Sequence, residues 1–239
     1  MQDETGRKVT PEQLLQENAR LRGDLRTIAT RINHDLRTPL GGIINTGELL
    51  REILAEKNPE TLPLAGSLFT SVDEMAKLIG QLRLITKASA DPKPKERANM
   101  GLIVAGALTR LESRILKQQA KIIQPDDWPD ADGVPDWLEL IWVNLLANAL
   151  QHAGQKPCIE LGWQKEKSGY HFQVMDNGGG VPPETMSKLF QSFDSLHNSG
   201  STRGLGLSIV QRLVDLQGGQ CGYAPNKPAG ACFYFTLPF

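Results

Sequence analysis

Apolar residues recur at helical spacing through the first part of the chain. Successive steps of seven, four, three and four residues form the a/d seam of a heptad repeat, which is typical of paired helices. The seam consists of Leu14, Leu21, Leu25, Ile28 and Ile32. Asn18 lies at an a position, where one polar residue can fix the register and the number of helices. The alternative is one amphipathic helix that packs within its own chain.

A second helical pattern follows a short polar turn. Its apolar positions are Leu68, Val72, Met75, Ile79 and Leu82. Asn58 followed by Pro59 is a good helix start, because Asn caps a helix and Pro fits its first turn. Two long helices joined by a short turn form an antiparallel hairpin. Because one hairpin cannot cover a wide apolar stripe, two copies are expected to pair into a four-helix bundle, which makes the protein a homodimer.

The pattern changes after residues 87–99, which hold two prolines and many charges and are interpreted as a linker. Beyond it we expect helices, a pair of strands flanking a turn at Gly169, and a terminal pair of strands. The expected ranges are Leu102–Leu116, Trp137–Ala153, Cys158–Gln164, Tyr170–Asp176, Gly204–Leu216, Gln220–Tyr223 and Ala231–Leu237. This mixture predicts an α+β sandwich with helices on one face of a mixed sheet. The fold class is multi-domain: an all-α helical hairpin over residues 1–90, then the sandwich over residues 91–239.

Composition narrows the function classes. The chain has 239 residues, 40% of them hydrophobic and 22% charged, which excludes a collagenous or disordered protein. With 26 basic and 27 acidic residues the net charge is −1, and without a long basic run we expect no nucleic-acid binding. No stretch approaches the roughly 20 apolar residues of a membrane span, and the polar first residues lack the apolar core of a signal peptide. We therefore expect a soluble, cytoplasmic chain without membrane contact.

The cysteines agree with that compartment. There are three, Cys158, Cys221 and Cys232, and no pair has the spacing of a metal clip. Cys158 and Cys232 lie in apolar, strand-like stretches and are interpreted as reduced core residues.

The first candidate for chemistry is His34. Along the heptad it falls at a c position, which faces solvent. Asp35 adjoins it, and Thr38 lies one helical turn further on the same face. A carboxylate beside an imidazole can hold the tautomer that leaves the other ring nitrogen free as a nucleophile. Pro39 should bend the helix just beyond this point. The alternative is a solvated surface histidine.

A polar stripe interrupts the apolar helix expected over Trp137–Ala153. It consists of Asn144, Asn148, Gln151 and His152, at spacings of four, three and one. Amides are mediocre helix formers, and a stripe of them suits the ligation of a metal and of phosphate groups. Ordinary surface amides are the alternative.

Two glycine-rich segments follow. Asp176 ends an expected strand and precedes Gly178 and Gly180, and glycine permits both positive φ and close approach of the backbone to a ligand. A tight turn without a ligand is the alternative. Gly204 and Gly206 open a helix whose free N–H groups and dipole favour phosphate. This second segment is neither a Rossmann fingerprint nor a Walker A loop, because no strand leads into it and no Gly-Lys-Ser/Thr follows.

Taken in order, these segments resemble the sensor histidine kinases of two-component systems. His34-Asp-Leu-Arg-Thr-Pro-Leu resembles the H box of that family, Asn144–Asn148 the N box, and Asp176-Asn-Gly-Gly-Gly the G1 box. Leu189-Phe190-Gln-Ser-Phe193 resembles the F box, and Gly204-Leu-Gly206-Leu-Ser-Ile-Val the G2 box. The match runs from about residue 20 to residue 239, and five motifs in the family's order do not arise together by chance.

The resemblance implies a dimerisation and phosphotransfer bundle followed by an ATP-binding sandwich shared with gyrase and Hsp90. By similarity, His34 accepts the γ-phosphate of ATP and Asp35 acts as base and orienter. Thr38 matches the position at which related kinases place a water that dephosphorylates the regulator. Asn148 is implied as the Mg²⁺ ligand, with Asn144 in support.

The remaining implied roles concern the nucleotide. Asp176 would accept a hydrogen bond from the adenine amine, and Gly178 and Gly180 would let the chain pass close to the base. The glycines and helix amides of the G2 box would cradle the phosphates, and the F-box phenylalanines would pack beneath a mobile lid over Asp194–Arg203. The implied cofactor-binding set is completed by Gln151, His152, Phe193, Arg203, Gly204, Leu205, Gly206 and Leu207.

The chain departs from the family pattern at three positions. Asp35 stands where many relatives carry Glu, and the shorter arm still provides an acid. Gln151 replaces a frequent Lys, which removes one cation near the phosphates. Thr202 stands where the first glycine of the G2 box is usual, and Arg203 could supply the missing positive charge.

The implied function is ATP-dependent autophosphorylation of His34 and phosphoryl transfer to an Asp on the receiver domain of a response regulator, with regulator phosphatase activity as an added possibility. The implied cofactors are ATP and Mg²⁺. The implied partners are a second copy and an upstream sensory domain or sensor protein, and the intact parent could be membrane-associated. Two alternatives stay open. One is a phosphatase or scaffold module with weak kinase activity, which Gln151 and Thr202 motivate. The other is a gyrase/Hsp90-type ATPase, against which His34 argues.

Overall fold

The chain divides into two compact units, Met1–Pro92 and Lys93–Phe239. The computed structural model describes residues 41–54, 56–57, 66, 93–186, 189–190, 205–226 and 229–239. The heptad seam, the polar turn and the second helical pattern lie outside the described residues. The helical hairpin, the four-helix bundle and the homodimer therefore stay predictions.

The described part of the first unit is helical over residues 41–54 and 56–57. Four large apolar side chains are exposed on this helix. They are Ile43, Leu49, Leu50 and Ile53, with Leu49 57% exposed and Ile43 48% exposed. A second helix of the predicted bundle would cover apolar side chains of this kind.

The described part of the second unit contains seven strands and four helices. In chain order they are β1 (Glu96–Asn99), α1 (Met100–Gln118), β2 (Lys121–Ile123), β3 (Asp130–Gly133), α2 (Pro135–His152), β4 (Cys158–Lys165), β5 (Gly169–Asp176), α3 (Pro183–Met186), α4 (Leu205–Asp215), β6 (Cys221–Pro225) and β7 (Ala231–Pro238).

Five strands form a mixed sheet in the order β2-β4-β5-β7-β6. β2 runs parallel to β4, whereas the other neighbouring strands are antiparallel. In this register Asp176 lies opposite Ile159, and Met175 lies opposite Cys232. The carboxyl end of β5 therefore meets the beginnings of both β4 and β7. β1 and β3 form a separate antiparallel pair.

The core lies between the sheet and the helices. Trp142 of α2 is fully buried, and its ring packs edge-on against Phe172 of β5 at 6.2 Å and Phe235 of β7 at 5.5 Å. Its indole N–H donates to Sδ of Met100 at 3.1 Å. Both α1 and α4 contact α2 along its sides. Helices stacked on one face of a mixed sheet confirm the predicted α+β sandwich.

Local signals set the helix ends. The side chain of Asn99 accepts a hydrogen bond from the N–H of Leu102 at 3.0 Å, so Asn99 caps α1. Gln119 ends that helix in the left-handed region, with φ of 51°. Pro135 opens α2, where its missing N–H costs nothing. None of the helices that the structure describes combines the length and apolarity needed to cross a membrane.

Two predictions of local structure were wrong. Residues 96–99, assigned to the linker, form β1, in which Ala98 pairs with Ala131 and both side chains are buried. Only one of the four side chains of β1 is buried. Its polar sequence therefore lacks the apolar pattern that would predict a strand. Gly169, assigned to the hairpin turn, is the first residue of β5, and its carbonyl accepts from the N–H of Glu166 at 2.9 Å. The sequence patterns also do not predict β2 and β3.

The three cysteines are free thiols on the sheet. Cys232 is buried, as predicted, whereas Cys158 at the start of β4 is only half-buried. The pKa of Cys221 is raised from 9.0 to about 12, mainly by burial and to a smaller extent by the negative charge of Asp215. The pKa of Cys232 is also raised, mainly by burial and to a smaller extent by the negative charge of Asp176. Both of these thiols are therefore protonated at neutral pH.

Candidate functional site

Asp176 lies at the end of β5 and is buried, with 2% of its surface exposed. Its Oδ1 accepts hydrogen bonds from the backbone N–H of Gly178 at 2.8 Å and of Ala231 at 3.2 Å. Its Oδ2 is also buried but has no hydrogen-bond partner among the described residues. Because an unpaired buried carboxylate oxygen is costly, Oδ2 is suited to accept a hydrogen bond from a ligand.

The glycines after Asp176 shape the turn. A Cβ on Gly178 would lie 2.1 Å from the backbone oxygen of His152, so only glycine allows the turn to pack on the end of α2. Gly180 has a φ of +75°, which other residues adopt at a cost. A Cβ on Gly179 would meet nothing within 4 Å. The turn is therefore packed against α2 on one side and open on the other.

Three residues complete the surroundings of Asp176 without having been predicted. The Tyr223 hydroxyl accepts from the N–H of Val181 at 3.3 Å. The Asn226 side chain donates to the backbone oxygen of Asp176 at 2.9 Å. Gly230 passes so close that a Cβ would lie 1.9 Å from the same oxygen. They are about 50 residues away in sequence, and only the glycine just before β7 offers a local signal.

The stripe on α2 changes from half-buried to exposed along the helix. Asn144 and Asn148 are half-buried, and Gln151 and His152 are exposed. The amide N–H of Asn144 donates to the carbonyl of Leu140 at 2.8 Å, so its oxygen is left for other partners. The side chain of Asn148 makes no hydrogen bond among the described residues. Its amide group is therefore available to a ligand.

The beginning of α4 lies against this stripe. A Cβ on Gly206 would lie 3.1 Å from Oδ1 of Asn144, so the small residue allows α4 to approach α2. Gly206 is half-buried and Leu207 is buried. Leu205 is the first described residue of α4. α2 thus lies between the two glycine-rich segments, with Asn144 beside Gly206 and the carbonyl of His152 beside Gly178.

An aromatic contact links the F box to the sheet. The ring of Phe190 packs edge-on against Phe233 of β7 at 6.3 Å. The ring of Tyr223 of β6 also packs against Phe233, at 5.4 Å. This contact places Phe190 against the sheet beside β7.

Several predicted site residues lie outside the described residues. They are His34, Asp35, Thr38, Phe193, Arg203 and Gly204, together with the predicted lid. The roles assigned to them stay predictions. In the described part of the chain no group of three or more His, Cys, Asp or Glu residues could hold a metal ion.

Two family models match the chain. One, described as the His Kinase A (phospho-acceptor) domain, matches residues 24–91. The other, described as the Histidine kinase-, DNA gyrase B-, and HSP90-like ATPase, matches residues 133–239. The first match contains His34, and the second contains Asp176 and the stripe on α2.

Similar proteins are themselves described as kinases or phytochromes. The methanogenesis regulatory histidine kinase FilI of Methanothrix harundinacea is 28% identical over 210 residues, which cover 87% of this chain and 24% of that protein. The phytochrome-like protein Cph1 of Synechocystis is 28% identical over 233 residues, covering 95% of this chain and 31% of that protein. The adaptive-response sensory kinase SasA of Prochlorococcus marinus is 26% identical and covers 99% of this chain and 66% of its own length. The chain thus spans only about a quarter to a third of the first two relatives.

Solved structures share the fold. Full-length ShkA, described as a complex with AMPPNP, superposes with a TM-score of 0.64 at 23% identity and covers 89% of this chain and 46% of that one. The Acinetobacter baumannii histidine kinase AdeS gives a TM-score of 0.58 at 21% identity, covering 86% of this chain and 97% of that one.

The two family matches occur in the order that the sequence motifs predict. A phosphoacceptor match over 24–91 precedes an ATPase match over 133–239, and the second unit has the sandwich that this ATPase type requires. The chain therefore belongs to the sensor histidine kinases of two-component systems, and it carries their phosphoacceptor domain followed by their ATPase domain.

Proposed function

We propose that the second unit binds ATP with Mg²⁺ and that the γ-phosphate passes to His34. The observation that carries the proposal is the buried Oδ2 of Asp176, which has no partner among the described residues. The 6-amino group of adenine is a donor that would satisfy it. A Cβ on Gly179 would meet nothing within 4 Å, so the turn is open at that residue, and the base would approach from there.

The phosphates would lie between α2 and the beginning of α4. The unpartnered amide oxygen of Asn148 would hold Mg²⁺, and Asn144 would support it from the preceding turn. When bound, Mg²⁺ would neutralise charge on the phosphate oxygens. The free N–H groups in the first turn of α4 lie at the positive end of the helix dipole. They would bind the phosphates. This cradle would include Arg203, Gly204, Leu205, Gly206 and Leu207, with Gln151, His152 and Phe193 at its margins.

The phosphoryl transfer needs little covalent chemistry from the protein. Asp35 would hold the imidazole of His34 in the tautomer that leaves one nitrogen with a free lone pair. That nitrogen attacks the γ-phosphorus in line. A nitrogen–phosphorus bond forms as the bond from phosphorus to the bridging oxygen breaks, and ADP leaves. Catalysis is then mainly positioning and charge neutralisation.

The phosphoryl group would next pass to an Asp carboxylate on the receiver domain of a response regulator. Thr38, four residues after His34 in sequence, would position a water that hydrolyses the regulator's phosphoaspartate. A second copy of the chain would complete the bundle that carries His34. An upstream sensory domain or sensor protein would supply the signal, since the first two relatives are three to four times as long as the matched region.

Incubation of the chain with γ-labelled ATP and Mg²⁺ tests the proposal. We expect label that is stable in alkali and lost in acid, as a nitrogen–phosphorus bond requires. The label should disappear in His34→Gln. His171→Gln is the matched control, because His171 lies on β5 beside Tyr234 and Glu166 and has no proposed role. Label that survives His34→Gln would mean that another residue accepts the phosphate.

A second candidate is a module that mainly dephosphorylates or binds its regulator. It is favoured by Gln151, which is exposed on α2 and brings no positive charge toward the phosphates. Regulator dephosphorylation that depends on Thr38, without autophosphorylation, would support this candidate. Steady ATP hydrolysis that His34→Gln leaves unchanged would instead indicate a gyrase/Hsp90-type ATPase.

A further inference from the structure

The turn between β6 and β7 reaches back to the end of β5. The side-chain amide of Asn226 donates to the backbone carbonyl of Asp176 at 2.9 Å. The N–H of Ala231, just after the turn, donates to Oδ1 of Asp176 at 3.2 Å. The turn is closed by the backbone N–H of Asn226, which donates to the carbonyl of Gly230 at 3.1 Å. One short segment therefore holds both the main chain and the carboxylate of Asp176.

Gly230 makes this close approach possible. Its φ is +124°, and a Cβ would lie 1.9 Å from the carbonyl oxygen of Asp176. Only a residue without a side chain can bring the turn into contact there. The side chain of Asn226 then bonds the same carbonyl, so the peptide that follows Asp176 is fixed from the side of β7.

Among the described residues, the hydrogen bonds of the Asp176 carboxylate involve only one of its two oxygens. Oδ1 of Asp176 already accepts from Gly178 and Ala231, whereas Oδ2 accepts from no described residue. Since both Oδ1 donors are backbone groups, the direction of Oδ2 depends on where those backbones lie. Rotation of the peptide after Asp176 would displace Gly178, and with it the carboxylate.

We propose that Asn226 is a positioning residue that fixes the direction of Oδ2 and thereby sets the preference for a purine with a 6-amino group over one with a 6-oxo group. This inference rests on the proposed function, because it takes Asp176 as the acceptor for the base. A 6-amino group donates to a well-placed Oδ2. A 6-oxo group is an acceptor and gains nothing from that placement.

Binding of ATP and of inosine triphosphate, measured by calorimetry on the full chain, tests the inference. The unchanged chain should bind ATP more tightly. Asn226→Ala should weaken ATP binding by about 5-fold, roughly the effect of one ordinary hydrogen bond, and should leave binding of inosine triphosphate unchanged. Asn226→Gln keeps an amide donor on a longer arm and should recover part of the preference.

Asn99→Ala is the control for lost stability. Asn99 bonds the N–H of Leu102 and the carboxylate of Asp130 at the start of α1, so its removal should lower stability without changing the ratio of the two affinities. If Asn226→Ala weakens both nucleotides equally, or neither, the inference is overturned and the ATP proposal stands. If the unchanged chain binds both nucleotides equally, the assignment of Asp176 to the base fails, and the inference fails with it.

Discussion

Oε1 of Gln217 accepts a hydrogen bond from the backbone N–H of Val134 at 2.9 Å, across 83 residues of sequence. Val134 precedes the first residue of α2 and has no side-chain cap of its own. The Nε2 group of Gln217 donates to the carbonyl of Leu213 in the last turn of α4 at 3.0 Å. One buried amide, 1% exposed, therefore joins the beginning of α2 to the end of α4.

Replacing this amide by an apolar group should destabilise the second unit. Gln217→Leu leaves the N–H of Val134 without its acceptor in a buried place, and we expect the free energy of unfolding to fall by about 2–3 kcal/mol. Urea denaturation followed by far-ultraviolet circular dichroism measures the change. Gln164→Leu, on the exposed end of β4, is the control and should stay within about 0.5 kcal/mol. Equal effects of the two variants would show that the link across α2 and α4 contributes nothing.

Removing the side-chain amide of Asn148 should change the Mg²⁺ dependence of autophosphorylation without unfolding the second unit. Asn148 loses no protein hydrogen bond in Asn148→Ala, and alanine favours the helix. We expect the Mg²⁺ concentration for half-maximal autophosphorylation to rise at least about 10-fold, as loss of a metal-site group typically does. Gln118→Ala, an exposed amide at the end of α1, serves as the control. A variant with normal Mg²⁺ dependence would remove Asn148 from the metal site.

The raised pKa of Cys221 predicts a loss of stability in alkali. The thiol has a pKa of about 12 in the folded chain against 9.0 as its ordinary value. The folded state therefore holds the proton more tightly, and the stabilisation is complete below pH 9 and disappears as the pH rises from 9 toward 12. The difference in unfolding free energy between the unchanged chain and Cys221→Ala should shrink over that interval. A difference that is constant with pH would contradict the shift.

The sequence predicts the parts of the site that lie on single elements. The stripe of Asn144 and Asn148 follows from helical spacing, and Asp176 with its glycines follows from a strand that ends in a turn. Asn226 and Tyr223 carry no such pattern, because their importance comes from the register of β6, β7 and β5 and not from their neighbours in sequence. Local residue propensities do not predict which distant strands pair with one another.

The short strands β1 and β3 could not be predicted from the sequence for a related reason. β1 is rich in charge and buries only Ala98, and β3 consists of small and acidic residues. Neither has the β-branched or aromatic residues that mark a strand. They become strands because each pairs with the other, and the segment around Lys95 is further held by a hydrogen bond from its ammonium to the carbonyl of Gln217 at 2.6 Å.

The position of β7 in the sheet also determines when the second unit can fold during translation. β7 is the last of the described strands in sequence, yet it lies between β5 and β6 and bonds both. Until residues 231–238 emerge from the exit tunnel, the nascent chain holds two unsatisfied strand edges, and Phe172 lacks its partner Phe235. Assembly of the sheet thus waits until β7 has been synthesised, and a product truncated before Ala231 would be a target for chaperones and proteases.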